Sequence, residues 1–142
     1  MSSVMWWLYA LLSALFAALT AVLAKVGIRG VDSNLATAIR TVVILVLAWA
    51  IVYVRGGLSG ITALTRTNLL FLGLSGLATG LSWLCYFKAL QMGTVSQVAP
   101  VDKLSVALAI GLSVAFLGER LTWQTGVGAS LIVAGTLVLI WK

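Results

Sequence analysis

Four basic side chains and one carboxylate lie inside or beside long apolar segments of this sequence. They are Lys25, Arg40, Lys88, Asp102 and Lys103. Because charges are costly in lipid, those found in apolar helices usually face a cavity or line a path for a polar molecule. A group of ammonium and guanidinium ions attracts an anionic or zwitterionic solute and binds its carboxylate or phosphate. These residue types therefore point to the binding and passage of a solute.

Five apolar segments must position these residues. Each is about 20 residues long, which is the length of a helix that crosses the hydrocarbon core of a bilayer. We therefore expect an all-α membrane protein in one domain, residues 1–142, with five transmembrane helices. We expect the first segment to be retained, because its apolar run is about twice that of a signal peptide. The predicted spans are Val4–Ala24, Leu35–Val54, Asn68–Phe87, a fourth from between Thr94 and Pro100 to about Leu117, and Trp123–Trp141.

Composition excludes several classes of protein. Apolar residues make up 62% of the chain and charged residues 8%, against roughly 25% charged in soluble domains. The net charge of +6 does not indicate nucleic-acid binding, because the basic residues are dispersed at helix ends. The chain has no His and one Cys, Cys85, so we expect no metal site and no cofactor. Three acids and no phosphate-binding loop offer little acid–base chemistry, so we expect no catalytic residues and no enzyme.

The basic residues gather toward one side of the membrane, because successive spans alternate in direction. We call Lys25, Arg40, Lys88, Asp102 and Lys103 the vestibule. The alternative is snorkelling, in which long basic side chains reach the interface from helix ends, and both interpretations stay open for Lys25 and Lys88. Arg40 and the Asp102–Lys103 pair lie deeper, which favours a function. Asp102 is too short to snorkel far, so it needs a partner, either Lys103 or a base on another helix.

Pro100 lies just before that pair, separated from Asp102 by Val101. At a helix start a proline is a common residue and would need no functional explanation. Inside the helix it would free a carbonyl near the charges and add a polar group to the site. The sequence leaves both cases open. The residues predicted to bind substrate are Lys25, Arg40, Lys88, Pro100, Asp102 and Lys103.

Small residues recur at intervals that let helix backbones approach closely. Gly76 and Gly80 lie in the third span, where we expect packing within one subunit. The fifth span contains a run of small residues from Gly128 to Gly135, where we expect contact between subunits. The residues predicted at this dimer interface are Gly128, Ser130, Leu131, Ile132 and Gly135.

Several motifs follow one another along nearly the whole chain. They are Lys25–Val31, Ala38–Thr41, Tyr86–Leu90 followed by Gly93, and the most specific two, Val98–Ser105 and Leu117–Thr122. In this order and spacing they resemble a half-size, five-span member of the EamA-type family of the drug/metabolite transporter superfamily.

The resemblance implies an assembly. Full-length relatives carry ten spans as two inverted five-span halves around a central cavity, so two copies of this chain would rebuild that arrangement as an antiparallel homodimer. Gly128–Gly135 also resembles the dimerising last helix of small multidrug-resistance proteins. Those exporters carry an essential acid in their first span, and Val4–Ala24 has none. We therefore do not expect proton-coupled export of cationic drugs.

The distribution of Lys and Arg does not favour one orientation. Arg55, Arg66 and Arg120 fall on one side, and the count on the other depends on whether Lys25, Arg40 and Lys88 lie within the membrane. A chain that inserts in both directions would show this balance. The sequence therefore suggests dual topology.

The resulting hypothesis is a secondary transporter that moves small metabolites across the membrane by alternating access as a homodimer. We expect it in the bacterial inner (plasma) membrane, with a small polar or anionic metabolite, membrane lipid and a second copy of the chain as its partners. The alternatives are an accessory or structural subunit of a larger membrane complex, and half of a lipid-linked-sugar flippase.

Overall fold

The computed structural model describes residues 5–141, and all the regular structure in that range is helical. The elements are α1 Trp6–Gly27, α2 Ser33–Val54, a 3₁₀ helix Gly57–Ala63, α3 Arg66–Met92, α4 Val95–Asp102, α5 Leu104–Leu117 and α6 Trp123–Ile140. Five spans are long and apolar enough to cross a membrane, with α4 and α5 together forming the fourth, Val95–Leu117. The predicted five-helix membrane fold is therefore confirmed. Val4, the predicted start of the first span, and Lys142 lie outside the described residues.

The chain divides into two compact units. One unit joins the residues up to Val22 with those from Met92 onward, and in it both α4 and α5 pack against α6. The other unit is Leu23–Gln91, which contains the last turns of α1, all of α2, the 3₁₀ helix in contact with α2, and nearly all of α3. That the chain forms one domain stays a prediction.

Capping residues set where α2 and α3 begin, each two residues before the predicted start. Asp32 Oδ1 accepts hydrogen bonds from the N–H groups of Asn34 at 2.9 Å and Leu35 at 3.1 Å. Asp is among the residues preferred at this position, because its carboxylate satisfies donors that the helix leaves unpaired. Thr65 does the same for α3, where its hydroxyl oxygen accepts from the Asn68 N–H at 3.1 Å.

The fourth span is interrupted at a single residue, Lys103. α4 ends at Asp102 and α5 begins at Leu104, and Lys103 between them keeps right-handed helical dihedral angles, with φ −71° and ψ −10°. The Lys103 N–H donates to the carbonyls of Ala99 at 3.3 Å and Pro100 at 3.0 Å. Pro100 lies inside α4, where it lacks an N–H for the carbonyl four residues before it and its ring crowds that carbonyl. Of the two positions that the sequence leaves open, the structure therefore places Pro100 inside the helix.

Tight packing within Leu23–Gln91 is concentrated where α1 ends, α2 begins and α3 ends. Ile28, Phe87 and Leu90 are buried there, with 4%, 2% and 0% of their surface exposed. Thr37 is also buried, and its hydroxyl donates to the Ser33 carbonyl at 2.8 Å. Most apolar side chains elsewhere on the spans are exposed on the isolated chain, as expected for helices that face lipid or other helices. The buried side chains of this unit therefore lie at this end.

Candidate functional site

Arg40 is held against two aromatic rings. Its guanidinium carbon lies 4.4 Å from the centroid of the Trp83 ring and 5.3 Å from that of Phe87. The two aromatic residues are four apart on α3, so they share one helix face. Arg40 itself is seven residues into α2, roughly 10 Å along the helix axis from Ser33. A cation over aromatic faces gains up to about 2 kcal/mol when it is desolvated.

The charge of Arg40 has no obvious counter-ion within its own unit. The segment 23–91 contains a single acid, Asp32, whose carboxylate caps α2. Aromatic faces stabilise the flat guanidinium and leave the donors in its plane suited to a carboxylate or phosphate. Arg40 is therefore the residue of this unit best suited to bind an anion.

Lys25 and Lys88 differ from each other. Lys25 is half-buried, and its ammonium donates to the Leu90 carbonyl near the end of α3. This bond satisfies one of the carbonyls that a helix end leaves without a partner, so it ties the end of α1 to the end of α3. Lys88 is exposed on α3. Lys25 thus has a structural role, which its sequence position alone did not reveal.

Asp102 and Lys103 form an ion pair at the interruption of the fourth span. The Lys103 ammonium lies 3.3 Å from Asp102 Oδ2, and the side chains of Lys103 and Asp102 are 54% and 35% exposed, respectively. Of the two partners considered for Asp102, the one observed is therefore Lys103. Lys103 lies roughly 12 Å along the span from Val95. The two charges are thus at least partly exposed on the isolated chain, within a span that is long and apolar enough to cross a membrane, and lipid solvates charged side chains poorly.

Thr136 is a buried polar residue that sequence reasoning missed. It lies in α6 with 4% of its surface exposed. Its hydroxyl donates to the Pro100 carbonyl at 3.2 Å, and this carbonyl also accepts from the Lys103 N–H at 3.0 Å. The available signal was a hydroxyl residue deep in one apolar span together with a proline in another. Thr136 therefore links α6 to the site of the interruption.

We expect Thr136→Val to lower the free energy of unfolding by about 1 kcal/mol, because a buried hydrogen bond is removed with little change of shape. For a chain of this size the midpoint of thermal unfolding should fall by about 3–5 °C, measured on purified protein in detergent. Thr136→Ser keeps the hydroxyl and should unfold near the wild-type temperature. Thr79→Val is the matched control, because the exposed Thr79 bonds only to Ser75 of its own helix. Equal midpoints for Thr136→Val and Thr79→Val would contradict this role.

The predicted substrate residues divide between the two units. Lys25, Arg40 and Lys88 belong to Leu23–Gln91, whereas Pro100 and the Asp102–Lys103 pair belong to the other. Within the units, the structure brings Arg40 onto α3, Lys25 onto the end of α3, and Pro100 against α6. Their role in substrate binding stays a prediction.

The predicted dimer residues all lie on α6. A Cβ added at Gly128 or Gly135 would meet nothing within 4 Å among the described residues of its unit. Leu131 is 67% exposed, and the Ser130 hydroxyl donates to the Gly126 carbonyl of its own helix at 2.9 Å. Ile132 is half-buried. No other described element of the unit packs closely on Gly128 and Gly135, and the predicted interface stays a prediction.

Gly76 and Gly80 lie on α3, and their packing within one subunit stays a prediction. A Cβ at either position would meet no other described atom of the unit within 4 Å, apart from its own helix. Their spacing permits a close helix contact but does not by itself say which helix makes it.

Comparison with known proteins identifies the family. The model of the EamA-like transporter family matches residues 4–141. The chain belongs to this family. A protein of Sinorhizobium sp., described as "Uncharacterized transporter in cobO 3'region", is 51% identical over 134 residues, which cover 94% of this chain and 95% of the relative. No solved structure matches the chain.

The family membership agrees with the family predicted from the motifs. Five apolar spans and the match over nearly the whole chain make this an integral membrane protein of a transporter family. The Sinorhizobium relative has almost the same length. The relative is therefore also a half-size chain.

Proposed function

We propose that this EamA-like protein is a secondary transporter that moves small polar or anionic metabolites across the membrane by alternating access. The observation that carries the proposal is the Asp102–Lys103 ion pair, exposed at the interruption of a span. Charges at this depth must face water, protein or a polar solute, because lipid cannot solvate them.

The side chains suggest the chemistry of the substrate. Arg40, held on Trp83 and Phe87, offers planar donors for a carboxylate or phosphate. Lys103 offers a second cation and Asp102 an acceptor for an ammonium group. A small metabolite with one anionic group, either an organic anion or a zwitterion, satisfies these groups best.

The transporter works as an antiparallel homodimer in this proposal. Two oppositely oriented copies supply the inverted repeat that larger carriers encode within one chain. Gly128 and Gly135 of α6, on which no other described element of their unit packs closely, and the balanced distribution of basic residues support this assembly. Reporter fusions after the C-terminus, expressed in the bacterial inner membrane, would measure the orientation of the chain. Comparable reporter signals on the two sides of the membrane are expected. A single orientation for all copies would contradict dual topology without affecting the five-helix fold.

Proteoliposomes that contain only this protein test the transport function. A screen of candidate metabolites by thermal unfolding comes first, because a ligand at 100 times its dissociation constant stabilises the folded state by about 2.7 kcal/mol. The metabolites that stabilise the protein are then offered to the proteoliposomes. Saturable uptake is the expected result. Uptake that requires a second gene product would indicate an accessory subunit instead, and movement of lipid-linked sugars alone would indicate a flippase.

A further inference from the structure

A cavity of about 390 Å³ lies within Leu23–Gln91, apart from Arg40 and its aromatic rings. Residues 28–32 line it together with Lys25 and Gln91. These residues come from the end of α1, the turn before α2 and the end of α3, so the cavity lies where three spans reach the membrane surface. Its volume is in the range of sites that bind small molecules.

The polar groups of the cavity are fixed by bonds to the backbone. Gln91 Nε2 donates to the Val31 carbonyl at 2.6 Å and thereby ties α3 to the turn. The Lys25 ammonium donates to the Leu90 carbonyl. Gly30 supports the turn with a φ of 72°, a left-handed conformation that glycine adopts at little cost. The cavity is thus part of the packed end of the unit, and two of its polar side chains, Lys25 and Gln91, are bonded to backbone carbonyls.

The charge of the cavity is positive. Lys25 and Arg29 contribute two cations, and Arg29 is exposed at the rim. The one acid in the lining, Asp32, accepts the N–H groups of Asn34 and Leu35, where the positive end of the α2 dipole balances its charge. The two cations therefore give the cavity a positive field that attracts an anion.

We infer that this cavity binds a phosphate group. Arg29 is its chief ligand, and the positive charge of Lys25 adds electrostatic attraction. A guanidinium binds phosphate oxygens in a bidentate manner, and a nearby ammonium adds attraction. Phosphate reaches this place from two sources, the headgroup of an anionic lipid or a soluble phosphate compound. The location at the span ends, where basic residues are attracted to an anionic membrane surface, matches the depth of a headgroup. This site does not depend on the proposed transport activity.

The test compares Arg29→Gln with Arg55→Gln in the full-length protein purified in neutral detergent. Both changes remove one positive charge at a helix end, but Arg55 follows the opposite end of α2 and does not line the cavity. The probes are dihexanoylphosphatidylglycerol and inorganic phosphate, and binding is measured by native mass spectrometry and by the shift in thermal unfolding. We expect Arg29→Gln to bind the probe about tenfold more weakly than wild type, and Arg55→Gln to bind it as wild type does.

Arg29→Lys keeps the charge but loses the bidentate geometry, so its binding of the probe should fall between those of wild type and Arg29→Gln. This conservative variant also controls for folding. If the lipid binds with this dependence on Arg29 and inorganic phosphate does not, the site is a headgroup site. If inorganic phosphate binds with the same dependence, the site takes soluble phosphate. Both results support the inference. It is overturned if neither probe binds wild type, or if Arg29→Gln and Arg55→Gln weaken binding equally.

Discussion

Arg40→Gln is expected to reduce solute uptake into proteoliposomes by about 100-fold or more. The guanidinium is the one cation of Leu23–Gln91 placed on aromatic rings, and glutamine cannot balance the charge of an anionic substrate. An uncompensated charge in a site of low dielectric costs about 3–5 kcal/mol, which corresponds to such a loss. Folding should suffer much less, because the cation–π interaction that the substitution removes contributes about 1–2 kcal/mol. Uptake is measured at a substrate concentration well below saturation, with the amount of inserted protein held equal.

Two further variants test whether the loss of uptake is specific to the guanidinium of Arg40. Arg40→Lys keeps the charge but loses the planar guanidinium, so uptake should be reduced but measurable. Arg55→Gln removes an arginine just after the end of the same helix and should transport as wild type does. Similar losses in Arg40→Gln and Arg55→Gln would point to a general effect of charge. Normal transport by both Arg40→Gln and Asp102→Asn would contradict the vestibule hypothesis.

Asp102→Asn is expected to impair transport strongly, with a smaller effect on stability. The ion pair with Lys103 is partly exposed on the isolated chain, and such pairs contribute at most about 1 kcal/mol to folding. Transport is affected more, because the substitution leaves Lys103 without its partner part-way across the membrane. Uptake and thermal unfolding are measured on the same preparation. A loss of about 3–5 kcal/mol in stability would instead indicate that the pair is buried in the assembled protein.

The double variant Asp102→Asn with Lys103→Gln separates a structural role from a substrate role. If the pair only stabilises the interruption of the fourth span, removing both charges should restore folding and transport together. If the pair binds substrate, folding should recover while transport does not, and this is the expected outcome. Glu119→Gln is the control, because Glu119 is an exposed acid just after the end of α5 and should have little effect.

Four residues lie near the interruption of the fourth span. Pro100 lies inside α4, Thr136 of α6 donates to the Pro100 carbonyl, and the ion pair of Asp102 and Lys103 follows after Val101. Both α4 and α5 also pack against α6, so the hydrogen bond of Thr136 is one of several contacts that hold this region. If alternating access moves α4 relative to α5, Thr136→Val should alter transport rates as well as stability.

The sequence by itself determined the class, the number of spans and the family. Length and apolar composition are sufficient for this, because lipid accepts only segments that satisfy their own backbone, and helices do so locally. Local capping also sets where two helices begin. Asp32 caps α2 and Thr65 caps α3, and each of these helices begins two residues before its predicted start. The motif order along the chain was enough to predict the EamA-like family.

Only the tertiary structure decided which polar residues are held by which partners. Arg40 lies on Trp83 and Phe87, more than 40 positions away, and Lys25 bonds to the Leu90 carbonyl. Thr136 bonds to Pro100, and Gly76 and Gly80 have no close neighbour within the described part of their unit. A transmembrane helix is apolar on all sides, so its sequence carries little information about which face meets another helix. The physical reason is that the number of spans follows from local hydropathy, whereas these contacts depend on how the helices are turned and packed.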